Sequence, residues 1–153
     1  MNIRLIAVGK IREPYVAEAC ADFRKRLLPY GKYEETEVRA ADRGTPNEAM
    51  REEGERVLRL LRPGEPAWLL ERTGTELSSV ELSDRFRAME NSGQSRLTLI
   101  IAGTYGASPE LQARAEFAWS LSKLTLLHEW ARMLVLEQLY RAAKIARNEP
   151  YHH

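Results

Sequence analysis

Short apolar runs alternate with helical periodicities from one end of the chain to the other, and this alternation limits the fold more than any other feature. Ile3 to Val8, closed by Gly9, has the make-up of a strand buried on both faces. Behind it, Pro14 suits a first helical turn, and Val16, Cys20, Phe23 and Leu27 fall on one face of the helix it opens. Pro29 and Gly31 stop that helix. Tyr33 to Val38 reads as a second, more polar strand, nearer a sheet edge. Thr45-Pro46-Asn47-Glu48 is a capping box whose helix runs to about Leu61, before Pro63-Gly64. Ala67 to Leu70 is the third strand, and Glu71-Arg72-Thr73-Gly74 the turn after it.

Ser78-x-x-Glu81 opens the next helix, with Leu82, Phe86 and Met89 facing inward. Leu97 to Ile101 is the most apolar run and the expected centre of the sheet; Ala102-Gly103-Thr104-Tyr105-Gly106 leaves it. Ser108-Pro109 caps a short helix, Phe117 to Leu121 is a fifth strand, and a final helix runs from His128 to about Arg147. The class is therefore α/β: a mostly parallel sheet flanked by helices, in one domain spanning residues 1–153. The final helix is apolar on more than one side, with Met133, Leu136, Tyr140 and Ala143 on one line and Leu134, Val135 and Leu139 beside it. Two such sides need two partners, the sheet and, most simply, a second subunit.

Composition excludes more than it assigns. No apolar run is long enough to cross a membrane, and the first residues lack a signal peptide's basic start and long apolar core. One cysteine, Cys20, rules out an internal disulfide framework, fits a reducing cytosol, and sits at a core position of its helix. A net charge of +1 gives no global attraction for nucleic acid, though most of the cations are arginine, which suits phosphate forks. Three histidines, one cysteine and no His-x-x-x-His spacing offer no credible metal site.

In parallel sheets of this class, ligands bind outside the carboxyl ends of the strands, which here means the loops after Leu70, Ile101 and Leu121. Gly103 and Gly106 either let a ligand approach the backbone or serve a tight turn. If the first reading holds, a branched side chain at Gly103 should meet the ligand and spare the core. The pair is neither a dinucleotide fingerprint nor a P-loop. Ser120 to Leu127 alternates apolar and polar residues without glycine, as a loop over a flat aromatic ring would, or as a strand running into a helix would. His128, Arg132 and Arg141 are each as consistent with a helix start or a solvated face as with chemistry. Tyr151, His152 and His153 are either a frayed end or a set of proton-transfer groups.

Ile101-Ala-Gly-Thr-Tyr-Gly106, Trp119-Ser-Leu-Ser-Lys-Leu-Thr-Leu-Leu-His128, Leu139-Tyr-Arg-Ala142 and Pro150-Tyr-His152 together resemble the ribosomal RNA large subunit methyltransferase H family, small SPOUT-class enzymes. Ile6-Ala-Val-Gly-Lys10 is similar as well, so the resemblance covers essentially the whole chain. It implies a C-terminal deep trefoil knot, a cytoplasmic homodimer, and methyl transfer from S-adenosylmethionine to N3 of a pseudouridine in 23S rRNA of the assembled ribosome. It places the cofactor against Leu70, Gly103, Gly106, Ser122, Lys123, Leu124, Thr125, Leu126 and Leu127, and the catalytic residues at Arg141, Tyr151 and His152. His152 is the candidate base for the N3 proton, and Arg141 the group that steadies the developing anion or grips a phosphate. Two positions depart from the family pattern: Ala102 where many members have Gly, and Leu127 where members have Pro. A SPOUT enzyme acting on transfer RNA and a non-catalytic ribosome-associated dimer are the rival readings.

Overall fold

The computed structural model describes all residues, Met1–His153. Five strands, β1 (Asn2–Val8), β2 (Tyr33–Val38), β3 (Ala67–Glu76), β4 (Arg96–Ile101) and β5 (Phe117–Ser120), form one sheet in the order β2-β1-β4-β3-β5. Every pairing is parallel, with Leu5 opposite Leu99 and Leu69 opposite Ile100. The most apolar run is the central strand and the polar one is an edge, as the pattern requires.

Alternation along the central strands fills two cores. Ile3, Leu5, Ala7, Trp68, Leu97, Leu99 and Ile101 point to one face, where they meet α1 (Pro14–Leu27), α3 (Ser79–Asn91) and α5 (His128–Ala146). Ile6, Val8, Ala67, Leu69 and Ile100 point to the other, toward α2 (Pro46–Leu58) and α4 (Pro109–Arg114). A parallel strand buried on both faces needs this unbroken apolar run. Leu99 is wholly buried, and Leu99→Ala would cost about 2–5 kcal/mol through lost transfer energy and the cavity left.

The helix starts follow their caps. Ser78 and Glu81 form a reciprocal capping box, Thr45 Oγ1 accepts the Glu48 N–H, and Ser108 Oγ accepts the Leu111 N–H. Two boundaries differ from the sequence expectation by more than one residue. The second helix ends at Leu58 rather than Leu61, and Leu60 and Leu61 turn back against the core. The third strand does not turn at Glu71–Gly74; after an irregularity between Leu70 and Thr75 it continues to Glu76, pairing with Trp119 and Ser120. Strand β5 supplies the partner that makes this polar stretch extended.

From the β5 edge the chain returns toward the sheet centre. Ser120 Oγ donates to the Arg72 carbonyl at 2.9 Å, so the segment after β5 lies beside the end of β3. It then enters α5, whose first turn sits by the ends of β1 and β2. There Arg132, 5% exposed, donates to Glu37 at 2.6 Å and pairs with Glu35 at 3.5 Å. This arginine is thus a buried anchor and no part of a solvated face. One turn earlier, Glu129 accepts the backbone N–H groups of Arg12 and Glu13, docking the start of α5 on the start of α1. No helix is long and apolar enough to cross a membrane.

Candidate active site

The three loops singled out from the sequence meet at the carboxyl ends of the strands. Leu70, half-buried, pairs with Ile101 where β3 and β4 last touch, so the loops beyond both strands begin side by side. Beyond Ile101 the chain makes a tight turn: Gly103 and Gly106 bridge each other, and the Gly106 N–H donates to the Gly103 carbonyl at 2.9 Å. Gly106 has φ +88°, a left-handed conformation that favours glycine. Thr104 and Tyr105 at the tip are exposed.

The third segment, Ser122 to Leu127, is a loop rather than a strand. Ser122 Oγ accepts the Leu124 N–H at 3.0 Å, which tightens its bend. Arg72 reaches the Lys123 carbonyl at 3.4 Å, and Lys123 lies 3.7 Å from Glu76, so β3 holds this loop from one side. Leu124 and Leu127 are 72% and 64% exposed, and Leu126 is half-buried. Such apolar side chains left uncovered near a glycine turn with an exposed tip are suited to a flat aromatic ring.

Gly103 has a reason to be glycine that the sequence does not disclose. It is buried, its φ is not left-handed, and a Cβ there would lie 2.9 Å from Glu53 Cδ. The missing side chain makes room for the Glu53 carboxylate of α2. A branched side chain at Gly103 would therefore strike a buried acid, and the expectation that it spares the interior is corrected. His128 lies close to this turn. Burial holds its pKa below the usual histidine value, while the Ala102 carbonyl and Glu53 pull the other way. Its Nε2 is buried without a partner. At neutral pH the ring is uncharged and works as a packed anchor of the loop.

Arg141, Tyr151 and His152 form a second cluster near the far end of α5. Glu137, which the sequence reading did not single out, holds it together. Glu137 Oε1 accepts from Arg141 Nε at 3.0 Å, from Arg141 Nη2 at 2.5 Å, and from the Tyr151 hydroxyl at 3.0 Å. The i, i+4 spacing of Glu137 and Arg141 was the available signal. The guanidinium lies over the Tyr151 ring at 4.6 Å, and Nη1 stands 3.2 Å from His152 Nδ1. The Glu137 contact raises the Arg141 pKa, and burial together with Glu137 raises that of Tyr151, so the phenol keeps its proton at neutral pH.

The tail is not frayed. Tyr151 packs edge-on against Tyr140 at 4.8 Å, and Glu149 ties the preceding turn to Lys144 and Tyr30. Arg141 follows His128 by thirteen positions, so the two lie ~20 Å apart along the helix axis. One chain thus brings the loop residues together and the tail residues together, as separate groups. No group of three or more His, Cys, Asp or Glu side chains is placed to hold a metal ion.

Residues 1–152 match the family described as "Predicted SPOUT methyltransferase". The chain belongs to the SPOUT methyltransferases, among the ribosomal RNA large subunit methyltransferase H proteins. A relative of that name from Gloeobacter violaceus is 43% identical over 153 residues, covering 100% of this chain and 99% of the relative. Another from Carboxydothermus hydrogenoformans is 41% identical over 158 residues, covering 99% of each. Among solved structures, a tRNA (m1G37) methyltransferase from Aquifex aeolicus superposes with a TM-score of 0.53 at 16% identity, over 100% of this chain and 75% of that one. That likeness concerns the fold alone. Within the SPOUT family, Leu70, the Gly103–Gly106 turn and the 122–127 loop are the candidate cofactor cradle, and Arg141, Tyr151 and His152 the candidate catalytic group.

Proposed function

We propose that this protein transfers a methyl group from S-adenosylmethionine to N3 of a pseudouridine in 23S rRNA of the assembled ribosome, acting as a cytoplasmic homodimer. The observation that carries this reading is the contrast between the two ends of α5: a glycine turn and exposed leucines, read as a cofactor crevice, at one, and an arginine, tyrosine and histidine cluster at the other. The names of the full-length relatives support ribosomal RNA as the substrate.

The crevice residues fit the cofactor. Leu124, Leu126 and Leu127 would cover the adenine ring, while the peptide groups of Gly103 to Gly106 and of the 122–127 loop would take its polar edges. The bound sulfonium supplies an already activated methyl group. The chain's own task is then alignment, holding the attacking nitrogen in line with the methyl carbon.

A single copy places its Arg141 cluster ~20 Å along α5 from the crevice. A second copy lying antiparallel across the outer side of α5 would bring its tail to this chain's crevice. Leu134 and Ile145 remain only part-buried on that side, which supplies apolar area for the contact. The crossing of the 120–127 segment past the end of β3 is where the trefoil knot implied by the resemblance would lie.

The cluster has the groups the target needs. Two of the Arg141 nitrogens are fixed by Glu137, which leaves Nη1 free to turn from His152 to a carbonyl or phosphate oxygen. Arginine only donates, so in the present arrangement His152 Nδ1 accepts and Nε2 carries the ring proton. His152 takes the N3 proton at Nδ1 once Arg141 has moved to the substrate. Tyr151, pinned by Glu137, orients the guanidinium.

The direct test is transfer of labelled methyl to ribosomes that lack the modification, with purified transfer RNA alongside. Incorporation at a pseudouridine in 23S rRNA is expected. Incorporation into transfer RNA alone would overturn the substrate, and binding of the cofactor without transfer to either would favour a non-catalytic role.

A further inference from the structure

Glu53 is the only carboxylate among the fully buried residues, at 5% exposure, and it is left without a counter-charge. Its Oε2 accepts the Ala41 N–H at 2.9 Å, while Oε1 has no hydrogen-bond partner. None of the ion pairs in the molecule includes it. Arg132 is equally buried, yet it is paired with both Glu35 and Glu37. Buried charges are ordinarily paired or bound to a metal, because stripping an ion of water is costly. The nearby imidazole of His128 does not fill the gap, since burial keeps it neutral at pH 7. The unpaired oxygen lies against Gly103, the residue whose missing Cβ admits it. Helix α2 therefore brings a carboxylate oxygen with no partner against the Gly103 turn.

We propose that Glu53 is an electrostatic positioning residue that gives the crevice its preference for a cationic sulfonium ligand over the neutral thioether left after methyl transfer. This deepens the cofactor reading above and rests on it. The carboxylate does not touch the ligand. It acts across the Gly103 backbone, where the low local dielectric lets a charge be felt at several ångströms. The substrate form of the cofactor carries the sulfonium charge and the product form does not, so the same oxygen holds the one and releases the other. Binding strength of this kind acts in the ground state, so it shows in the KM for the cofactor more than in kcat.

The experiment is calorimetric titration of the full-length protein and of Glu53→Gln with S-adenosylmethionine and, separately, with S-adenosylhomocysteine. Gln keeps the shape and the acceptor for Ala41 while removing the charge. Because an opposite charge acting across a peptide layer at an effective dielectric of ~20 contributes on the order of a kcal/mol or more, the sulfonium affinity should fall about tenfold or more. The thioether affinity should stay nearly unchanged, and the ratio of the two dissociation constants should shift accordingly. An equal loss for both ligands would show Glu53 to be loop scaffold and would overturn the proposal, as would no loss for either. Glu53→Asp, which keeps the charge, should retain the sulfonium preference; its loss there would also count against the charge, and this variant carries the test should the Gln protein not fold. If the parent protein binds neither compound, the cofactor reading itself fails, and that outcome is separate from a Glu53 effect common to both ligands.

Discussion

The two ends of α5 differ in how far each is already satisfied. At the carboxyl-end crevice, Tyr105 is 55% exposed and Leu124 and Leu127 stand uncovered, while Glu53 Oε1 and His128 Nε2 lie buried beneath without partners. At the tail, Arg141, Tyr151 and Glu137 bond one another, and His152 adds a fourth member. Bare apolar and aromatic surface of this kind marks a place that a ligand covers. A closed polar network marks groups that are preorganised and exchange one contact when a substrate arrives. The crevice should therefore govern binding and the tail should govern transfer.

Gly103→Val strains that division most, because it acts on the crevice and the interior together. Its side chain would enter the space of the Glu53 carboxylate. A loss of about 1–3 kcal/mol of stability from overpacking is expected, with cofactor binding abolished. Urea unfolding and calorimetry check the two parts; normal stability would mean that Glu53 is not where the structure puts it.

Glu137→Gln acts on the tail alone. It weakens the charge-assisted contacts that hold Arg141 and Tyr151 in place, so transfer should fall by roughly 10–100-fold. Cofactor affinity should remain that of the parent. A matching loss of cofactor affinity would erase the distinction between the two ends.

Removing Tyr151 to His153 should abolish transfer to ribosomes and spare cofactor binding, but not without structural cost. The Tyr140–Tyr151 contact is lost, at about 0.5–1.5 kcal/mol beyond the area uncovered. A small drop in Tm with an intact cofactor titration is the expected pair of results.

The smallest effect is a pH dependence at the crevice. His128 has a folded-state pKa below its unfolded value, so the unfolded chain binds its proton first as pH falls. Its stabilising share is complete above the ordinary histidine range near ~6.5 and is lost as pH falls from there through the folded-state value. His128→Gln should flatten that part of the stability profile. An unchanged profile would mean the ring is not buried as described.

The frame of the molecule was legible because burial on both faces leaves an apolar run, and Leu97 to Ile101 could hardly be anything but a central strand. The two polar capping serines, Ser78 and Ser108, marked helix starts equally well. The far half of β3 was not legible, since Glu71 to Glu76 is polar and contains Gly74; only pairing with β5 makes it a strand. Arg132 stayed open between a solvated face and a chemical role and is neither, because its acids, Glu35 and Glu37, come from a distant edge strand. Glu53 sits within Arg51-Glu-Glu-Gly-Glu-Arg56, a stretch with the look of a solvated helical face, and only the approach of Gly103 gives it another meaning. The candidate cofactor and catalytic positions come from the resemblance and not from pattern. Their separation along α5 was not, because distance within a fold is not written in a motif.

The central claim is that crevice and tail from different copies make one site, and complementation in mixed dimers tests it most directly. Leu124→Asp disables an exposed crevice residue without touching the core, and deletion of Tyr151 to His153 disables the tail. Each protein alone should be inactive on ribosomes. In a mixed dimer, the intact crevice of the truncated copy meets the intact tail of the Asp copy, so one of the two sites should recover and methyl transfer should return. If mixed dimers form and stay inactive, crevice and tail must belong to the same chain, and the account is wrong.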